Sequence, residues 1–386
     1  MLNIKQKLIK FTLSFVAMLT ISACDQIKDF SSLKNVMGKN VIDVAILLPM
    51  SGPEAELSKE YAQMIKIGLS DSAQSKIRVT TYDSSSEKKL TLSLDKILEK
   101  GTDIIVGPIY SRATKEVAKK VKGKGTIVLS LSNNPVLADN QVFVYGHAPM
   151  RQLEKLTNHF LDNEYKNYIA LLPAGRYSSS VSKILQSMIT SRDATLARIE
   201  FYGNAPEDIE RAISVVSNNV DSLNENAFNI KKPVILIADD AATLELMYGS
   251  VRKYNLDKKA IIAGDSRADI DYSEPVDITF TGSLNITDTN LTMRSMKAGI
   301  SHISFMHAVS YDAGKMLGTY IGQTYNKNRL LNRMNAAEPF IGISGSIYFV
   351  DSIAQRNYDI ISKDNGKYIN ISKPAIHEHK PGLADM

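Results

Sequence analysis

From Val41 onward the chain repeats one pattern, in which apolar runs of strand length are separated by stretches with helical period. Few architectures satisfy it, because strands that are apolar on both faces need helices over both, and that requires a parallel sheet. Asp43-Val44-Ala45-Ile46-Leu47-Leu48-Pro49 is the clearest run and is expected to be the first central strand. Tyr61, Met64, Ile65, Gly68 and Leu69 then fall at i, i+3, i+4, i+7 and i+8, the face of one helix. Strands are expected over 77–82, 103–106 and 126–129, with helices over 88–99 and 111–120 between them and Ser111 placed to cap the second helix.

After Gln141–Tyr145 the alternation restarts, with helices near 153–161, 181–189, 209–220 and 244–254 and strands near 168–172, 197–202, 234–238 and 260–263. Two consecutive α/β units of similar size predict a hinged pair of lobes. A strand over 278–282, a polar connection through Asp288-Thr289-Asn290 and a helix near 304–325 read as a return to the first lobe. The end of the chain differs in kind: short strands near 346–350, 358–361 and 368–371 flank Asp364-Asn365-Gly366, a hairpin signal because Asn and Gly tolerate positive φ. The expected division is a first lobe of about 41–147 and 288–339, a second of 148–287 and 340–372, and a disordered tail over 373–386.

The start of the chain sets its compartment. Lys5, Lys7 and Lys10 precede an apolar core from Phe11 to Ile21, and Ser22-Ala23-Cys24 follows. That core is about half the ~20 residues a membrane-spanning helix needs, so 1–23 reads as a secretory signal rather than a span. Ile21-Ser22-Ala23-Cys24 resembles the bacterial lipobox, which implies a diacylglycerol on Cys24 and cleavage before it. Cys24 is the only cysteine of the chain and so cannot form an internal disulfide. Acyl chains on it would provide the multiple anchoring signals that stable attachment requires. Residues 24–40 then form a lipidated tether lifting the domain off the membrane. Asp25 resembles the enteric signal for inner-membrane retention, which leaves the choice between inner and outer membrane open. Removing 1–23 takes three of 46 Lys+Arg and no acid, leaving 43 against 41 Asp+Glu. A near-neutral mature protein gives no reason to expect nucleic acid as a partner.

Four segments carry a family resemblance: Val44–Pro53, Gly101–Ser111, Ile127–Asn134 and Phe340–Phe349. Together they resemble the type I periplasmic-binding fold of the leucine-binding-protein group, over roughly Val41 to Ile371. Within that group, Leu47-Leu48-Pro49-Met50-Ser51-Gly52-Pro53 and Leu129-Ser130-Leu131-Ser132-Asn133-Asn134 look closest to lipoprotein activators of penicillin-binding proteins. The resemblance implies a two-lobed α/β domain, displayed in the periplasm, that touches a peptidoglycan synthase.

Parallel α/β sheets bind ligands beyond the carboxyl ends of their strands. Ser51-Gly52, Gly107 to Ser111 and Ser130-Leu131-Ser132-Asn133 lie at three such ends. The glycines let backbone approach a ligand, and the helix start at Ser111 suits an anion. In amino-acid-binding relatives, positions like Ser111 and Ser132 hold the carboxylate. The plainer reading is that Ser111 only caps its helix and that Ser130 to Asn134 only satisfy a loop. Tyr177 would supply an aromatic wall from the second lobe. There, however, Arg176 stands where an acid would match an ammonium, and Asp239 and Asp240 are the nearest substitutes.

Catalytic patterns are fragmentary. Ser93-Leu94-Asp95-Lys96 and Ser180-Val181-Ser182-Lys183 fit S-x-x-K and Ser132-Asn133-Asn134 fits S-x-N, but the K-T/S-G element of penicillin-binding transpeptidases is missing. The six histidines, His147, His159, His302, His307, His377 and His379, form no H-E-x-x-H pair. The expected protein is therefore not an enzyme and carries no cofactor or metal. Two functions stay open: a membrane-tethered regulator of a penicillin-binding protein, or a solute-binding lipoprotein delivering an amino acid or related small anion to an ABC permease.

Overall fold

The computed structural model describes residues 41–372 apart from 226–230, 240, 271–275 and 288. The expected signal, tether and tail, and with them Cys24, His377 and His379, lie outside the described residues, as do Asp240 and Asp288.

The first sheet is built on β1 (Val41–Leu48), β2 (Lys76–Asp83), β3 (Ile104–Val106), β4 (Ile127–Ser130) and β5 (Val142–Val144), all parallel and ordered β5-β4-β3-β1-β2. Three helices connect them: α1 (Ala55–Ser72), α2 (Glu87–Glu99) and α3 (Ser111–Val121). The unbroken apolar run of β1 follows from burial on both faces. Ile42, Val44, Ile46 and Leu48 join the cluster with Tyr61, Ile65 and Leu69 of α1. Ala45 and Leu47, on the alternate face, join Leu90, Leu94 and Ile97 of α2 and Val117 of α3.

The second sheet repeats this plan. β6 (Asn167–Pro173), β7 (Thr195–Tyr202), β8 (Val234–Ile237), β9 (Ile261–Gly264) and β10 (Ile278–Gly282) are parallel in the order β10-β9-β8-β6-β7. Its helices are α4 (Pro149–Asp162), α5 (Arg176–Thr190), α6 (Pro206–Glu225), α7 (Ala241–Lys253) and the short α8 (Leu256–Lys259). Ile169 and Leu171 face α6 and α7, while Tyr168, Ala170 and Leu172 face α4 and α5.

The chain then returns. Leu284 packs on the second lobe's core and Ile286 on the first's, so the crossing falls between them. α9 (Thr289–Lys297), α10 (Phe305–Ile321) and α11 (Lys327–Met334) follow. α10 ends at Gly322, whose φ of 66° closes the helix earlier than its apolar period indicates. α10 lies against α1 so closely that a Cβ on Gly314 would stand 2.1 Å from the Ile65 carbonyl oxygen, and one on Gly68 2.1 Å from that of Tyr311. The two backbones touch, and only glycine fits at either place.

The last five strands correct the expected division. β11 (Phe340–Gly342), β12 (Gly345–Val350) and β13 (Ile353–Asn357) do not belong to the second lobe: they extend the first sheet beyond β5. Only β14 (Asp359–Asp364) and β15 (Lys367–Asn370) join the second sheet, antiparallel beyond β10. The reason lies in α10. Buried Asp312 accepts hydrogen bonds from Ile343 N (2.9 Å), Ser344 N (2.7 Å) and Ser344 Oγ (2.6 Å), fastening the β11–β12 turn to the first lobe. The chain thus crosses between lobes three times, near His147, near Ile286 and at Tyr358.

Candidate interlobe site

The carboxyl ends of β1, β3 and β4 meet at one edge of the first lobe, and the expected site residues separate there into two groups. Ser130 and Ser132 are buried and serve the scaffold. Ser130 Oγ donates to the Pro108 carbonyl (3.2 Å) and meets Thr114 Oγ1 (2.8 Å), while Ser132 N donates to Ser130 Oγ (3.1 Å). Gly107, at φ 102°, runs so close to β1 that a Cβ would lie 2.2 Å from the Leu47 oxygen. Its glycine serves strand packing rather than ligand approach.

Ser51 is drawn away from the cleft by an acid that the sequence reading missed, Asp83 at the end of β2. Asp83 accepts from Ser51 Oγ (2.7 Å), Met50 N (3.0 Å) and Ser85 N (2.9 Å) and pairs with Lys89 (3.1 Å). Burial works against its charge, but the hydrogen bonds from Ser51 and Ser85 and the nearby Lys89 outweigh that and hold it well below the usual carboxylate range. This knot fixes the loop carrying Gly52, which is exposed at φ 84°.

Ser111 and Asn133 do reach a pocket, of about 350 Å³. Ser111 is not the cap of α3: Tyr110 holds that position and gives no side-chain cap, so Ser111 is the first helical residue. Its hydroxyl meets Ser132 Oγ at 3.0 Å. Apolar walls come from Tyr61, Ile109, Leu131 and Met306. At the mouth the Tyr110 hydroxyl donates to the exposed carboxylate of Glu54. All the lining residues belong to the first lobe, its return or the hinge; none comes from the strand ends of the second lobe. Tyr177 lies in α5, and its side chain is outside the described residues.

The hinge contributes His147, which lines the pocket and is 8% exposed. Its ring packs edge-on against Phe305 (5.4 Å), and its Nδ1 lies 3.4 Å from Gln152 Nε2. Burial pushes its pKa down to about 4; Asp265 opposes this, and Arg267 and Arg356 add to it. The imidazole is therefore neutral at physiological pH. Gln152, fully buried on α4, accepts from Ser266 N (2.8 Å) and Thr281 Oγ1 (3.2 Å), binding the hinge to the ends of β9 and β10. Arg356 donates to the Tyr145 (2.7 Å) and Gly146 (3.0 Å) carbonyls across the same crossing. Gln152 and Arg356 carry no short-range sequence signal for these bonds, since the partners Ser266, Thr281, Tyr145 and Gly146 lie more than a hundred positions away.

Among the described residues, two acids of the second lobe on this side, Asp239 and Asp265, are already engaged. Asp239 accepts from the Tyr202 hydroxyl at 2.7 Å. Asp265, buried after β9, is gripped by Arg267 Nη2 at 2.6 Å and Nε at 2.9 Å. Of the S-x-x-K serines, Ser93 lies within α2 and donates to the Asp83 carbonyl, and Ser180 lies within α5. Among the described residues no cluster of His, Cys, Asp and Glu has metal-binding geometry. A larger depression of about 480 Å³ lies at the opposite end of the second sheet, where Lys258 pairs with Asp277 and Lys363 with Asp269.

Comparison with known proteins adds the following. The profile of the LppC lipoprotein family matches residues 22–232, more than half of the chain. An uncharacterized protein of Rickettsia prowazekii (strain Madrid E) is 43% identical over 373 residues, covering 97% of this chain and 100% of its own length. Among solved structures, the solute-binding protein of an ABC transporter from Rhodopseudomonas palustris BisB5, in complex with 3,4-dihydroxybenzoic acid, aligns with a TM-score of 0.65 at 13% identity, over 86% of this chain and 96% of that one. The C-domain of LpoA from Haemophilus influenzae, described as a regulator of PBP1A, aligns with a TM-score of 0.58 at 18% identity, over 86% of this chain and 100% of that domain. The chain spans 60% of full-length LpoA. These likenesses show the fold, the two-lobed type I periplasmic-binding architecture with mostly parallel sheets and flanking helices.

Proposed function

Because the chain belongs to the LppC lipoprotein family, we propose that it is a non-catalytic, lipid-anchored periplasmic protein that regulates a peptidoglycan synthase of the penicillin-binding class by direct contact. Acylation of Cys24 holds it at the membrane surface, and the two-lobed domain presents the contact. The observation that carries this reading over transport of amino acids is the state of two acids of the second lobe among the described residues, Asp239 and Asp265. A captured zwitterion needs a free carboxylate for its ammonium, since a buried, unmatched charge cancels the gain made at its other end. Asp239 is bound by Tyr202 and Asp265 by Arg267. Likeness to the LpoA C-domain supports the same partner class.

The transport reading retains one supporting observation, the pocket beside Ser111 at an uncapped helix start. Affinity capture of the mature lipoprotein from cross-linked membranes separates the two. The expected result is recovery of a penicillin-binding protein, lost together with fatty-acid labelling in Cys24→Ser. Recovery of an ABC permease without any penicillin-binding protein would overturn the regulator reading.

A further inference from the structure

The amino ends of the first sheet carry a charge excess that neither the pocket nor the hinge uses. From Glu87 to Lys124 the chain holds ten Lys and Arg against five Asp and Glu, a surplus of five in a mature chain whose whole surplus is two, so the remainder is net negative. All ten of those cations are exposed. α2 and α3 run back from the carboxyl ends of their strands, so both helices finish at the base of the sheet. Lys96 and Lys100 lie at the end of α2, Lys119 and Lys120 in the last turn of α3, and Lys122 and Lys124 in the connection to β4. The Thr126 hydroxyl donates to the Thr102 carbonyl (2.9 Å) and Ile127 N to that of Asp103 (3.0 Å), which sets the loop after α3 beside the loop after α2. Lys100 Nζ pairs with Asp43 Oδ1 at 3.0 Å, so the cluster adjoins the start of β1, where the chain enters from its tether. Lys119 pairs with Glu116 and Lys120 with Asp95, but Lys96, Lys122 and Lys124 make no ion pair among the described residues. A cation in the last turn of a helix answers the negative end of its dipole, which accounts for Lys96, Lys119 and Lys120. That reason does not reach Lys124, which lies beyond the cap of α3 at Lys122.

We propose that this base is a docking surface for the bilayer itself, with its lysines set against anionic phospholipid headgroups so that the first lobe is held down on the membrane beside its anchor. Two features select that occupant. The charge is complementary, and each lysine close to an anionic leaflet contributes up to about fivefold in binding. The place is the one where the tether enters: sixteen residues lie between Cys24 and Val41, and a linker of that length keeps the bilayer at an effective concentration of roughly millimolar, which a soluble acidic partner does not match. The proposed acylation of Cys24 supplies this setting, but the headgroup contact does not require the acyl chain and is tested without it.

The full mature chain carrying Cys24→Ser, which cannot be acylated, is cosedimented with vesicles of equal parts phosphatidylglycerol and phosphatidylcholine, and with vesicles of phosphatidylcholine alone. The expected result is binding to the anionic vesicles only, present at about 0.1 M salt and lost at about 1 M, where the screening length falls from about 10 Å to about 3 Å. Lys96→Gln, Lys122→Gln and Lys124→Gln together should weaken it at least about tenfold, three lysines at up to about fivefold each. The same change at Lys166, Lys183 and Lys232, exposed lysines of the second lobe, should leave it unchanged. In the acylated lipoprotein, held in nanodiscs of the same two compositions, Lys122 and Lys124 should be shielded from an amine-reactive label in the anionic discs alone, while Lys183 and Lys232 react equally in both. Equal binding to both kinds of vesicle, binding that survives about 1 M salt, undiminished affinity in the triple variant at the base, no binding to either, or labelling of Lys122 and Lys124 that ignores headgroup charge would each overturn the proposal. None of these outcomes alters capture of a penicillin-binding protein by the acylated chain, so the two readings fail separately.

Discussion

Acidification is expected to loosen the hinge through His147. Its pKa falls from the ordinary 6.5 to about 4 in the folded protein, because burial removes the charged form from water, an effect that the attraction of Asp265 opposes and the repulsion of Arg267 and Arg356 reinforces. The unfolded chain therefore binds a proton that the folded chain refuses, over the interval between those two values. A depressed folded pKa gives stability that is complete above pH 6.5 and is lost as the pH falls towards 4. Integrating the linkage from pH 7.5 to 4.5 with these two values gives a loss of about 2.5 kcal/mol from this one side chain. Urea unfolding of the wild type and of His147→Gln, followed by circular dichroism at half-unit steps, measures it. The variant should start less stable at pH 7.5, having lost the ring contact with Phe305, but should decline less steeply, so that the two curves converge by pH 4.5. His307, whose pKa is also lowered by burial against the pull of Glu60, is present in both proteins and cancels in the difference. Parallel curves over that interval would refute the argument, since they would mean that His147 exchanges protons with solvent as freely as in the unfolded chain.

Two substitutions test the scaffold behind the pocket. Gly314→Ala places a methyl group where the Ile65 oxygen already stands, so α1 and α10 must separate. The expected net loss is about 1–3 kcal/mol in urea unfolding despite the ~1 kcal/mol by which alanine favours a helix. Asp312→Ala leaves three donors at Ile343 and Ser344 without their acceptor and should cost about 3 kcal/mol, with hydrogen exchange rising first in β11 and β12; uniform protection across those strands would show that the turn holds without it.

The parallel cores of both lobes were legible because their strands are buried on both faces, and burial of that kind writes long apolar runs such as Val44 to Leu48. The hairpin at Asp364-Asn365-Gly366 was legible for a local reason too, with Asn365 and Gly366 both at positive φ. The sheet to which β11, β12 and β13 belong was not legible. Antiparallel edge strands alternate buried and exposed residues in either lobe, and what assigns them is Asp312, some thirty residues upstream. The site divides the same way. Ser111 and Asn133 follow from their place after β3 and β4, whereas the burial of Ser130 and Ser132 depends on how Thr114 and Pro108 close over them. Gln152, Ser266 and Thr281 converge only once the second lobe is folded, with Gln152 more than a hundred residues from either partner, a separation that no local pattern spans.

The parallel direction of β1 also bears on how the molecule stands at its membrane. Val41 begins the strand at the sheet edge opposite the one where Ser111 and Asn133 open the pocket. With Cys24 acylated, sixteen residues separate the lipid from that far edge, a leash that fully extended reaches about 55 Å. Under the proposed anchoring, the point of attachment lies at the base of the first sheet, and the pocket opens at the edge away from it.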